Sequence, residues 1–116
     1  MVPLTAKPAG LTVVSASPRH QFEAGVFEDV KLPEGKILLC GVIDHSTNIV
    51  EHPRTVAERI VRFAKAVGRE NIIAGADCGF SPTAGMNRER VDPRVMWAKF
   101  GSLVQGAALA SEELWS

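Results

Sequence analysis

The stretch from Lys36 to Ile43 is apolar at nearly every position, and it constrains the fold more than any other part of the sequence. A strand with one solvated face alternates apolar and polar side chains, whereas a strand covered on both faces is apolar throughout. A continuous apolar run is therefore typical of a parallel sheet with helices packed against it. This run predicts an α/β protein.

Further strands and helices are predicted on either side of this run. Short apolar runs predict strands at Leu11–Ser15 and Asn71–Gly75. Apolar residues at helical spacing predict helices over residues 21–29, from Pro53 to Gly68, and from Asp92 to the end of the chain. In the last helix Gly101 and Gly106 are unfavourable for helix formation, which predicts close packing against a neighbour.

These elements make three consecutive βα units in a single domain, 1–116. The units cover residues 11–30, 36–68 and 71–115, after a leader at 1–10. Right-handed crossovers would place all three strands parallel in one sheet. The arginines between residues 54 and 69 are expected on a solvated helix face.

The composition excludes several classes of protein. Lysine and arginine together number 13, as do aspartate and glutamate, so no net charge attracts nucleic acid or anionic lipid. No apolar run approaches the roughly 18 residues of a membrane span, and no signal peptide is recognised. Cys40 and Cys78 show no disulfide or metal spacing to each other. A cytoplasmic protein with reduced thiols is expected.

Polar residues follow all three predicted strands and are expected to meet at one edge of the sheet. These are Ser15–His20, Asp44–Thr47 and Asp77–Gly79. Asp44, His45 and Asp77 each have two interpretations, a functional role at the sheet edge or a structural role in the loop. Strand-end aspartates often accept hydrogen bonds from loop N–H groups, and a loop histidine is often a hydrogen-bond partner in the same way. Cys78 is either a buried thiol or a metal ligand. Cys40 lies inside an apolar strand and is expected to be a core residue.

Several segments resemble a known family. Residues 41–51, 56–60 and 76–80 occur in the same order and spacing as the end of cobalamin-independent methionine synthase, and Trp97–Lys99 looks like its final barrel helix. The match is nearest to shorter, single-barrel relatives, in which Ser17–His20 also has a counterpart, and it covers roughly residues 11 to 115. The resemblance implies the last three of the eight βα units of a TIM barrel.

The resemblance also implies a reaction and a metal. In this family one zinc, bound by a His, two Cys and a Glu, activates the thiol of homocysteine, which takes a methyl group from a folate. Cys78 matches the last zinc ligand, and Asp44 and His45 are the candidate catalytic residues, although Ser46 occupies the family's usual histidine position. Val14 stands where the Glu belongs. The isolated chain is therefore expected to hold zinc weakly and to be inactive.

A non-catalytic role is the alternative: a remnant of the barrel that acts in interaction or assembly. Three parallel strands leave open sheet edges, so self-association or binding to a complementing barrel segment is expected. A small phosphate-binding module is disfavoured, since no glycine-rich loop joins a strand directly to a helix N-terminus.

Overall fold

A computed structural model of the chain describes residues 10–13, 16, 25, 32, 34–45, 47–77 and 92–116. The elements in chain order are β1 (Gly10–Val13), β2 (Ile37–Ile43), α1 (Pro53–Val67), a 3₁₀ turn (Arg69–Asn71), β3 (Ile72–Ala76) and α2 (Pro93–Trp115).

The sheet has three strands in the order β1-β2-β3, and both neighbouring pairs are parallel. This confirms the predicted α/β class with parallel strands. The helix predicted over residues 21–29 lies outside the described residues apart from Gly25, so the first βα unit stays a prediction.

Strand boundaries differ slightly from the predicted ones. β2 begins at Ile37, one residue later than expected, and β3 covers Ile72–Ala76. Gly35 precedes β2 with a φ of 83°, a conformation that glycine adopts without steric cost, which accounts for the turn there.

β2 contains an irregularity near its carboxyl end. Gly41 pairs with Gly75 whereas Ile43 pairs with Ala76, so β2 carries one extra residue, Val42, at this point. The Val42 carbonyl oxygen accepts a hydrogen bond from Arg59 at 3.0 Å. Bulges of this kind bend a strand and redirect the residues that follow.

Both ends of α1 are capped by neighbouring residues. The His52 Nδ1 accepts a hydrogen bond from the Arg54 N–H at 3.1 Å. At the other end Gly68, with a φ of 98°, donates its N–H to the Ala64 carbonyl at 2.8 Å. The predicted boundaries are confirmed, as is the apolar face: Val56, Ile60, Phe63 and Ala64 are buried.

α2 begins as predicted. Its apolar stripe was predicted at Met96, Phe100, Leu103, Ala107, Ala110 and Leu114, and of these only Ala110 lies on the most buried line. The Asp92 carboxylate accepts a hydrogen bond from the Arg94 N–H at 2.8 Å, and this pairing with Arg94 lowers the pKa of Asp92. Four buried residues form the central line: Lys99, Ser102, Gly106 and Ala110. The apolar residues predicted to face the core lie next to it and are partly buried, namely Phe100, Leu103, Ala107 and Leu114.

Close helix packing explains one of the two glycines of α2. A Cβ atom on Gly106 would lie 2.5 Å from the Cβ of Val56 on α1, so only glycine allows this approach. A Cβ on Gly101 would meet nothing within 4 Å. The packing explanation is therefore confirmed for Gly106 and wrong for Gly101.

The two helices cover one face of the sheet. Leu38, Cys40 and Val42 of β2 share a buried core with α1 and α2. On the opposite face Ile37, Leu39 and Ile73 are 38%, 36% and 53% exposed. The prediction that β2 is buried on both faces is thus wrong for Ile37 and Leu39. Within the described ranges both long helices lie on the same side of the sheet. None of the described helices is long and apolar enough to cross a membrane.

Candidate functional site

Asp44, His45 and Asp77 come together at the carboxyl edge of the sheet. Asp44 and His45 directly follow β2, and Asp77 directly follows β3. Since the two strands are parallel, their ends lie side by side. One ligand atom from each of the three residues lies within 4.8 Å of the others.

Asp77 connects all three strand ends. Its N–H donates to the Ile43 carbonyl at 3.0 Å, and its Oδ1 accepts a hydrogen bond from the Ala16 N–H at 2.9 Å. The side chain therefore does bond a loop N–H group, which was one of its two predicted roles.

Asp44 and His45 form the other half of the cluster. Asp44 is 4% exposed and Asp77 2%, so both carboxylates are shielded from solvent. The His45 ring is partly buried, and its Nδ1 is a fully buried atom that has no hydrogen-bond partner among the described residues. The catalytic roles given to Asp44 and His45 stay predictions.

A buried ion pair holds the loop that follows β2. The Lys99 Nζ lies 2.8 Å from the Glu51 Oε1, with the Lys99 side chain 0% and the Glu51 side chain 8% exposed. The second oxygen, Oε2, accepts the Asp44 N–H at 2.6 Å. Arg59 lies 3.9 Å from that oxygen with its side chain 30% exposed, so it is only partly solvated. The solvated face predicted for the arginines is confirmed for Arg54, Arg62 and Arg69.

A second contact fixes the same loop to α2. The Asn48 side chain accepts a hydrogen bond from the Asp92 N–H at 2.9 Å. Glu51 and Asn48 thus bind this loop to α2, and Asp44 is held at the end of β2.

Sequence reasoning did not find Glu51 and Lys99 as partners. One signal was present, because Lys99 is spaced at helical intervals from Ser102, Gly106 and Ala110 and so falls on the buried line. A charged residue on such a line requires a charged partner.

The two cysteines differ in what the structure shows. Cys40 is buried beside β2's own backbone, with its Sγ 3.7 Å from the Leu38 carbonyl, and burial raises the pKa of its thiol to about 12. This confirms Cys40 as a core residue. Cys78 and Val14 lie outside the described residues, so the ligand role of Cys78 stays a prediction.

The described donors do not fit the thiolate-rich zinc site that the resemblance implies. They supply two carboxylates and one imidazole, and the one described cysteine, Cys40, lies in the core with its thiol protonated. A zinc site with two cysteine ligands cannot be assembled from these residues.

The architecture is similar to that of a B12-independent methionine synthase from Shewanella sp. W3-18-1, solved in complex with selenomethionine. The two chains superpose with a TM-score of 0.71 and 22% sequence identity, over 96% of this chain and 29% of that one. The fold is shared. The resemblance to methionine synthase is thereby confirmed at the level of fold, and this chain spans less than a third of its structural relative. No protein-family model matches the chain, and no curated protein matches it.

Proposed function

We propose that this chain is the carboxyl-terminal part of a methionine-synthase-like methyltransferase barrel. In that role it takes part in methyl transfer from a folate to a thiol such as homocysteine. The observation that carries the proposal is the shared fold over 96% of the chain at a TM-score of 0.71. The coverage of 29% of the larger chain is what a terminal portion of a barrel would give.

The position of the polar cluster supports the proposal. Active sites of (β/α)8 barrels lie at the carboxyl ends of the strands. Asp44, His45 and Asp77 occupy that edge here, and they fall within the sequence segments that resemble methionine synthase.

We assign proton handling to His45, with Asp44 beside it. Methyl transfer breaks a carbon–nitrogen bond in the donor and forms a carbon–sulfur bond at the acceptor, so the thiol loses a proton and the donor nitrogen gains one. The His45 Nδ1 is a buried atom with no partner in the described part of the chain, and an imidazole both accepts and donates protons near neutral pH. No step is assigned to zinc, because the described donors do not fit it; Cys78 is the proposed ligand once a complete barrel is present.

A non-catalytic assembly role is the second candidate, and the exposed face of the sheet favours it. Ile37, Leu39 and Ile73 present an apolar surface at the position that the interior of a barrel would occupy. The proposed occupant is a complementing barrel segment or a second copy of this chain.

With its reduced thiols, the cytoplasm is the proposed compartment.

The test is reconstitution. The chain carrying Val14→Glu is coexpressed with the five preceding βα units of a methionine-synthase-like barrel, and methionine formed from homocysteine and methyltetrahydrofolate is measured. Transfer is expected only from the combined chains and is lost in Cys78→Ser. A stable complex that binds zinc and forms no methionine would reject the enzyme function and leave assembly as the role.

A further inference from the structure

The cluster at the carboxyl edge has a donor set of its own. Asp44, His45 and Asp77 offer two carboxylate oxygens and one imidazole nitrogen. Carboxylates suit magnesium and manganese, and imidazole suits zinc, iron and nickel, whereas thiolates select softer ions. A site with these donors would accept a divalent ion without any cysteine.

The spacing is close to what one ion requires. Three ligands spread evenly around one zinc ion, each at about 2.1 Å from it, are about 3.4–3.6 Å apart. The three ligand atoms here lie within 4.8 Å of one another. Side-chain movements of less than about 1 Å would bring all three into coordination distance.

Burial and charge favour a cation at this position. Asp44 and Asp77 are 4% and 2% exposed, so two carboxylates are held near each other with little access to water. Like charges at this distance repel, and a shared divalent cation replaces the repulsion by attraction.

Two hydrogen bonds fix the ligands in advance. The Asp77 Oδ1 is oriented by the Ala16 N–H at 2.9 Å, and the backbone of Asp44 is held by Glu51 at 2.6 Å. Outer contacts of this kind orient metal ligands. The His45 Nδ1 is buried and has no hydrogen-bond partner within the described ranges, so a nitrogen donor is available.

We propose that Asp44, His45 and Asp77 bind one divalent first-row metal ion through oxygen and nitrogen ligands, independently of Cys78. This goes beyond the proposed function, in which the metal ligand is Cys78. The two share His45, whose Nδ1 either exchanges a proton or, when an ion is bound, ligates it. They are separable by experiment, because the thiolate site needs Cys78 and an upstream segment and this site needs neither.

The experiment is a titration of the full 116-residue chain with Co²⁺, followed by visible and near-ultraviolet absorption. Co²⁺ bound to thiolate gives an intense sulfur-to-metal charge-transfer band, whereas an oxygen and nitrogen site gives only weak visible bands. We expect saturation at one equivalent, no charge-transfer band, and an unchanged titration in Cys78→Ser. Competition with Mn²⁺ and Zn²⁺ then ranks the ions.

Matched variants identify the ligands. Asp44→Asn, Asp77→Asn and His45→Asn should each weaken Co²⁺ binding at least tenfold. Asp92→Asn and His52→Asn are the controls; they remove a carboxylate and an imidazole at helix caps, where asparagine also caps, and should bind as the wild type does. Circular dichroism confirms that each variant is folded.

Three results would overturn the proposal. They are the absence of saturable binding by the wild-type chain, a charge-transfer band that disappears in Cys78→Ser, and equal weakening in the cluster and control variants. The first two are read from the wild type and Cys78→Ser alone, so they hold even if an aspartate variant fails to fold.

Discussion

Lys99 has its ammonium group fully enclosed between α2 and the loop after β2. Glu51 neutralises it at 2.8 Å and at the same time binds the Asp44 N–H. Burying a charge is costly, and the cost is recovered only with a close partner and further hydrogen bonds. Here the partner is Glu51, whose second oxygen is itself satisfied by the Asp44 N–H. This pair therefore couples the position of α2 to the position of Asp44 in the candidate site.

Removing Lys99 should destabilise the protein strongly. Lys99→Met removes the closest cation from the buried Glu51 carboxylate and leaves only Arg59, 3.9 Å from the other oxygen. Breaking a buried pair in this way costs up to about 3–5 kcal/mol. Urea unfolding followed by circular dichroism measures the loss. The exposed Lys65→Met is the control and should change stability by less than about 0.5 kcal/mol. A small effect at Lys99 would show that the pair is open to water.

The cysteines should differ in reactivity. Burial raises the pKa of the Cys40 thiol from its ordinary value of 9.0 to about 12, so its thiolate fraction near neutral pH falls about a thousandfold. In Cys78→Ser a thiol reagent at pH 8 should label Cys40 only after urea unfolds the chain, whereas Cys40→Ala should react at Cys78 in the native state. Equal protection of both thiols would contradict the loop placement of Cys78.

The raised pKa of Cys40 also makes the stability of the folded protein fall at alkaline pH. A raised folded-state pKa means that the unfolded chain loses the thiol proton first as pH increases. The contribution of Cys40 to the free energy of unfolding is therefore complete below about pH 9 and is lost as pH rises toward 12. Urea midpoints should fall over that range in the wild type more than in Cys40→Ala.

At the residue scale the sequence indicated which side chains converge but not how they pair. Asp44, His45 and Asp77 were predictable because each follows an apolar run, and parallel strands end at one edge. The partnership of Glu51 with Lys99 spans 48 positions and depends on how α2 lies against the loop, which local patterns do not encode.

At the scale of elements, the ends of the two described long helices were predicted more closely than the ends of the strands. The caps of α1 and α2 are local, since Pro53, Gly68 and Asp92 act within a few residues of themselves. The bulge at Val42 arises from pairing with β3, so no local signal showed it. The buried line of α2 was not predicted for a similar reason. Lys99 is a charged residue, and only its contact with Glu51, which is distant in sequence, accounts for its burial.

The two glycines of α2 make a matched pair of tests. Gly106→Ala places a Cβ 2.5 Å from Val56 and should destabilise the protein by about 1–3 kcal/mol through overpacking between α1 and α2. Gly101→Ala meets nothing within 4 Å and should stabilise by up to about 1 kcal/mol through helix propensity. Thermal unfolding of both variants gives the signs, and the same sign at both positions would refute the assigned packing.

At the scale of the whole molecule, the apolar face of the sheet should drive association. Ile37, Leu39 and Ile73 are exposed together on the face away from α1 and α2. Sedimentation velocity should show self-association that increases with concentration and is reduced in Leu39→Lys and Ile73→Lys. Val104→Lys, at an exposed site on α2, is the control. A folded monomer at high concentration would contradict this prediction.

The proposed role makes this chain the terminal portion of a methyltransferase barrel in which residues outside the chain complete a thiolate zinc site. The most direct measurement is elemental analysis of zinc after dialysis against a chelator, for the wild-type chain and Cys78→Ser. With Val14 in place of a carboxylate and a single matched thiol, no thiolate zinc site forms in this chain alone, because a catalytic zinc needs three protein ligands. Any ion held by Asp44, His45 and Asp77 does not need Cys78, so the wild type and Cys78→Ser should retain the same amount of zinc. One zinc retained per wild-type chain and lost in Cys78→Ser would contradict it.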